Sequence, residues 1–162
     1  TAQFYSPSII IMIDLDDNRL ALAKELGATH TINSGKEDVK AAIAKIVGEE
    51  GVDVAIEAVG LPQTWDTCQK IVKPGGNIAN VGVHGKKVDF DLQDLWIKNL
   101  TITTGLVNTN TTPMLIKATS SNKLPLNKMI THHYKLSEIE KAYDVFINAA
   151  KEKAMKIIID VD

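Results

Sequence analysis

The sequence contains a single cysteine, Cys68. That excludes an intrachain disulfide and favours a reducing, cytoplasmic setting over an oxidising one. Long apolar runs are lacking too: the longest, Ile9-Ile10-Ile11-Met12-Ile13, is far too short to cross a bilayer. The first residues, Thr1-Ala2-Gln3-Phe4-Tyr5, have neither the basic segment nor the apolar stretch of a signal peptide. Charge of one sign is not in excess. With a net charge of −2 and Lys and Glu interspersed, there is no electrostatic footprint for nucleic acid or an anionic membrane. What remains is an ordinary globular composition over 162 residues, enough for one domain, or one with a short appendage, to bury a core without cross-links.

Hydrophobic periodicity organises the chain. Ile9–Ile13 is a continuous, largely β-branched run, the pattern of a strand buried on both faces. Asp14 ends it. A helix follows, capped by Asp16 or Asp17, carrying Leu20, Ala23 and Leu26 at helical spacing and closed by Gly27. A strand at Thr29–Ile32 and a turn at Asn33-Ser34-Gly35 come next, then a helix from Val39 to Val47 ended by Gly48. Val52–Ala58 reads as a strand with the acids Asp53 and Glu57 near its ends, and Pro62 opens a helix to about Val72. Lys73-Pro74-Gly75-Gly76 reads as a turn before a strand at Asn77–Val81. A short helix around Leu92–Ile97, a strand at Leu100–Thr104 and a helix from Thr111 or Thr112 to near Asn122 follow. The tail reads as a strand (Met129–Tyr134), a helix (Ser137–Ala150) and a strand (Met155–Val161). In that helix Ser137 and Glu140 form a capping box, and Ile139, Ala142, Tyr143 and Phe146 form a buried stripe. Strand and helix alternate roughly every 25 residues, which predicts an α/β fold with a doubly wound, mostly parallel sheet. A composition break at Lys123-Leu124-Pro125-Leu126 divides the chain into 1–126 and a tail, 127–162.

Asp14 is the residue most suggestive of chemistry. In a dinucleotide-binding fold the second strand ends in an acid that accepts hydrogen bonds from the ribose hydroxyls and repels the 2′-phosphate of NADP. The glycine fingerprint belongs about 20 residues before that acid. Counting back from Asp14 leaves the chain, and none of its glycines forms G-x-G-x-x-G. Either this is not a dinucleotide domain, or its first strand and phosphate loop lie outside the chain. In the second case residues 1–6 are the stub of the first crossover helix, stopped by Pro7.

A family resemblance favours the second case. Ile13-Asp14 through Arg19-Leu20, Ala23 and Leu26-Gly27-Ala28 occur in order with Gly51-Val52-Asp53-Val54 and Glu57-Ala58-Val59-Gly60. Lys73-Pro74-Gly75-Gly76, Asn80-Val81-Gly82-Val83, Gly105-Leu106-Val107-Asn108-Thr109 and Thr131-His132 complete the series. The ordered set resembles the NAD-binding, Rossmann-like part of zinc-type medium-chain alcohol dehydrogenases, bacterial ones most of all. The resemblance implies that Asp14, with Leu15 beside it, meets the adenosine ribose and that Arg19 lies on the adenine side. It implies that Ala58, Val59 and Gly60 pack against the cofactor, that Val81, Gly82 and Val83 lie beside the nicotinamide, and that Leu106 and Asn108 meet its carboxamide. Lys156 matches a basic residue near the pyrophosphate. For Val59, Val81 and Val83 plain core packing is the competing reading.

The family's zinc ligands, by the same resemblance, lie upstream of this chain. Cys68 reads as a small buried hydrophobe, His132 and His133 point to opposite faces of a strand, and His30 and His84 read as turn or surface histidines. A whole parent would transfer hydride between an alcohol and NAD, with zinc polarising the alcohol oxygen; this chain alone is expected to be inactive. The alternatives are a non-catalytic nucleotide-binding or structural module, and a flavodoxin-like domain with phosphate contacts at Asn33-Ser34-Gly35. In strand order 3-2-1-4-5-6 the missing strand is central, so two sheet edges are expected to be open. Lys156–Val161 or a strand from a second copy is expected to fill the gap. The family also implies a homodimer through Leu100–Gly105.

Overall fold

A computed structural model describes residues 1–161. Its elements run β1 (Ile11–Asp14), α1 (Asp17–Glu25), β2 (His30–Asn33), α2 (Val39–Val47), β3 (Val52–Glu57), α3 (Pro62–Ile71), β4 (Val72–Asn80), α4 (Leu92–Leu95) and β5 (Thr101–Thr104). They continue with α5 (Thr112–Ser120), β6 (Ile130–Lys135), α6 (Ile139–Ile147), α7 (Ala149–Glu152) and β7 (Lys156–Asp160). Strand and helix alternate, and every strand pairing is parallel. This is the Rossmann-like α/β class expected. The chain divides into two compact units: Thr1–Gly35 together with the chain from Asn110 onward, and Lys36–Thr109.

In the first unit β1 pairs with β2, Ile11 opposite His30 and Asp14 opposite Asn33. α1 connects them because its first turn is well capped: the Asp16 carboxylate accepts the Asn18 amide at 2.8 Å. Leu20 and Ala23 bury the inner face of α1 over Ile32. Gly27, at φ 102°, ends the helix in a conformation an L side chain resists. β6 and β7 form a second parallel pair with α6 packed against both.

The second unit holds the three-stranded sheet β3-β4-β5. Trp65, Cys68, Gln69 and Ile71 of α3 are buried, with Ala55 of β3 and Ile78 of β4. In β4 the expected turn at 73–76 takes the form of a bulge. Val52 faces Val72 but Val54 faces Asn77, so Lys73–Gly76 loop out of the ladder, with Gly75 at a left-handed φ of 75° before the ladder resumes.

Three expectations are corrected. The first strand is not buried on both faces: Met12 is 44% exposed. Among the described residues β1 pairs only with β2 and β3 only with β4, so each keeps an open edge. The C-terminal strand does not fill either edge, because β7 pairs with the nearby β6, a closure that costs less chain entropy than a distant one. The tail helix is also broken. A 3-10 turn at Leu136–Glu138 precedes α6, and the Asn148 side-chain amide donates back to Asp144 C=O at 2.9 Å where α6 gives way to α7. Glu138, not Glu140, reaches back to the Lys135 amide, so Ser137 is not the cap. Of the expected stripe only Ala142 is buried and Ile139 is half-buried; Tyr143 and Phe146 are more than 60% exposed, since no element covers that side of α6 among the described residues.

Candidate functional site

β1 delivers Asp14 to the carboxyl end of its sheet, where open α/β folds bind ligands. One carboxylate oxygen accepts the Asp16 amide at 2.9 Å. The other faces the Arg19 guanidinium at 3.8 Å, and Arg19 also approaches Asp16 at 4.0 Å. Asn33, buried at the end of β2, fixes the loop: its side-chain amide donates to Leu15 C=O at 3.1 Å and to Asp17 at 2.6 Å. Asp14 thus keeps a half-exposed oxygen on a rigid turn, and Leu15 projects beside it, 71% exposed.

In the second unit the turn after β3 and the turn after β4 meet at one buried residue, Glu57, which is 1% exposed. Its main-chain carbonyl accepts the Val81 amide at 2.8 Å and the Gly82 amide at 3.1 Å. Its carboxylate Oε1 accepts the Val59 and Gly60 amides at 3.0 and 2.9 Å and the Thr64 hydroxyl at 2.6 Å. Thr64 also lies 2.8 Å from Leu61 C=O, but a hydroxyl has one hydrogen and the charged acceptor takes it. Oε2 has no hydrogen-bond partner of its own; His84 Nε2 lies 3.3 Å away, at ion-pair distance but off the line of a hydrogen bond. That nitrogen bonds Asn80 Oδ1 at 2.8 Å, and since the Asn80 amide nitrogen donates to Gly82 C=O, Nε2 must carry the proton. Burial pushes the Glu57 carboxyl up, but the Thr64, Gly60 and Val59 hydrogen bonds and the nearby imidazole outweigh it and hold it below its ordinary 4.5.

The two turns touch through their backbones. Gly60, at φ 90°, has no room for a Cβ against the Val83 carbonyl, and a Cβ on Gly82 would fall on Glu57 Oε2 and the Gly60 amide. Glycine is required at both. Around them Ala58 is exposed, and Val59, Val81 and Val83 are 61%, 62% and 86% exposed. Core packing is therefore not their role: they form an apolar rim standing in solvent. His84, expected at the surface, is instead half-buried with its ring edge-on to Trp65 at 6.5 Å. Trp65 Nε1 and the Gln69 amide in turn both donate to Asp89 C=O, which ties down the loop beyond His84. In the sequence Glu57 stands out as an acid near a strand end and as the first residue of a family motif, with no role at the site. Its usable signal was an ionisable residue at an inward strand position directly before a glycine turn.

The remaining sequence-derived residues are more dispersed. Leu106, 91% exposed, and Asn108 lie in the irregular segment after β5. Lys156 begins β7 opposite Ile130, its side chain exposed, in the same unit as Asp14. Asp14, Leu15 and Arg19 are brought together in one unit, and the turns at Ala58–Gly60 and Val81–Val83 in the other. Among the described residues no three His, Cys, Asp or Glu side chains converge to hold a metal, and no helix is long and apolar enough to cross a membrane.

Comparison with known proteins agrees with this geometry. The zinc-binding dehydrogenase family matches residues 8–121. An alcohol dehydrogenase of Cupriavidus necator is 32% identical over 98% of this chain and 44% of its own length. Among solved structures, zinc dependent alcohol dehydrogenase 2 of Streptococcus pneumonia, in its apo form, superposes with a TM-score of 0.94 at 57% identity over 100% of this chain and 47% of that one. A zinc-binding dehydrogenase of Sinorhizobium meliloti bound to NADP superposes with a TM-score of 0.83 at 28% identity over 94% of this chain and 45% of its own. The chain spans less than half the length of these relatives, and it belongs to the zinc-binding dehydrogenase family, matching the C-terminal, NAD-binding part of zinc-type alcohol dehydrogenases.

Proposed function

We propose that the chain is the cofactor-binding part of an NAD-dependent zinc alcohol dehydrogenase of the cytoplasm, and that by itself it binds nucleotide without oxidising alcohol. The observation that carries the reading is Asp14: a half-exposed carboxylate at the carboxyl end of β1, one oxygen fixed by the Asp16 amide and the other beside Arg19. In this reading Asp14 accepts the ribose hydroxyls, Leu15 and Arg19 flank the adenine, and Lys156 approaches the pyrophosphate. The rim of Ala58, Val59, Gly60, Val81, Gly82 and Val83, with Leu106 and Asn108, receives the nicotinamide end. The exposed valines support this, since apolar side chains in solvent on a rigid turn are what a flat ring would cover. Bound there, NAD supplies the hydride acceptor.

Asp14 also bears on which dinucleotide is taken. Its charge repels a 2′-phosphate, whereas an arginine nearby accommodates one. Here Arg19 is shared between Asp14 and Asp16, which favours NAD over the NADP seen in the Sinorhizobium relative. Calorimetric titration of the chain with each dinucleotide tests this. NAD tighter than NADP by about tenfold or more is expected; equal affinities, or tighter NADP, would overturn the preference, and no binding of either would overturn the site.

Zinc does not fit the residues described. Cys68 is buried alone within α3, His133 pairs with Asp160, and His132 stacks on Tyr134. No catalytic step is therefore assigned to this chain. Following NADH absorbance with the chain, NAD and simple alcohols tests the inactivity: reduction above the enzyme-free rate would refute it.

A further inference from the structure

We propose that Glu57 is the positioning residue of the nicotinamide end, setting the two turns of the rim against each other. The inference rests on the cofactor reading above for what the rim receives, and on geometry alone for how the rim is held. One residue gathers four amides: Val81 and Gly82 on its carbonyl, Val59 and Gly60 on its carboxylate. No other described residue bonds both turns through main chain and side chain together. The carboxylate is fully buried, and burying a charge is costly unless it organises several donors. A purely structural anchor would serve as well with a neutral amide. Here the second oxygen carries no hydrogen bond and faces an imidazole whose proton is aimed at Asn80. His84 thereby caps the charge without drawing the carboxylate away from Val59 and Gly60. The absence of side chains at Gly60 and Gly82 lets the carboxylate sit between the two backbones.

The test uses the full chain with NADH and ADP-ribose as probes, since ADP-ribose lacks the nicotinamide. Glu57→Ala removes the side-chain acceptor, and Glu57→Gln keeps one acceptor oxygen but places a donor beside the His84 N–H. For Glu57→Ala the expected result is about tenfold weaker NADH with ADP-ribose unchanged within roughly twofold, and Val59 and Gly60 amide exchange at least ~10-fold faster. Glu57→Gln should recover part of both effects. A folded Glu57→Ala with an unchanged NADH to ADP-ribose ratio and unchanged amide exchange would overturn the proposal. If the wild type binds neither probe, the cofactor reading fails by itself, and exchange at Val59 and Gly60 alone decides the role of Glu57. If Glu57→Ala does not fold, Thr64→Val removes one of the three donors to Oε1 and should give the same pattern at about threefold; no change in either readout would again count against it.

Discussion

Glu57 makes stability depend on pH in a direction that can be worked out. Its carboxyl titrates below the ordinary 4.5 when folded, so the folded state binds the proton less tightly than the unfolded state. The stabilisation is complete above about pH 4.5 and is lost as the pH falls through the lower, folded value. Urea titrations from pH 7 to pH 3 should show wild-type stability falling in that acid window and Glu57→Gln falling less steeply; equal slopes would contradict it. Gly82 is the partner constraint. Gly82→Ala must push a methyl group onto the Glu57 carboxylate and the Gly60 amide, and the expected loss is about 1–3 kcal/mol by denaturant unfolding. Cys68 shows the opposite balance, its thiol pushed up to about 11 by burial and then by the Glu57 charge. At pH 8 only roughly one thiol in a thousand is ionised, so Ellman's reagent should label it slowly until the chain is unfolded. The sequence made Asp14 legible, because a strand ending in an acid before a capped helix is a local pattern. Glu57 was not, because its value comes from Val81, Gly82 and His84, more than twenty residues away.

At the scale of elements, local signals placed α1, α2 and α3 well: Asp16 caps the first, Gly48 ends the second and Pro62 opens the third. The errors came where burial depends on what covers an element. Ile9–Ile13 and the α6 stripe are apolar patterns, and a pattern reports what a face could bury, not whether a neighbour is present. The bulge in β4 was hidden for a related reason, since Pro and Gly in series announce a break but not whether the ladder resumes beyond it. α6 gives a direct check. Phe146→Ser, on the exposed side, should change stability by no more than about 0.5 kcal/mol. Ala142→Leu, on the buried side, should cost about 1–3 kcal/mol. If thermal unfolding ranked the two the other way, the exposed face of α6 would be covered in solution.

For the whole molecule, the open edges offer places for another chain to pair. β1, β3 and β5 each have one partner among the described residues, and unpaired strand edges recruit other chains. We propose a homodimer through β5. Thr103 is exposed on that strand, and Thr103→Lys would set like charges against each other across a two-fold axis. Sedimentation should show a dimer for the wild type and a monomer for the variant; a monomeric wild type would refute the interface. The division of the chain into units has a further consequence, in time. Lys36–Thr109 is continuous, so its three-stranded sheet can be complete once Thr109 has left the ribosome. The other unit is interrupted by it, and β1, α1 and β2 are synthesised before it but must wait for the chain from Asn110 onward before their unit closes. During translation the segment that carries Asp14 is therefore made before Lys36–Thr109 but secured after it.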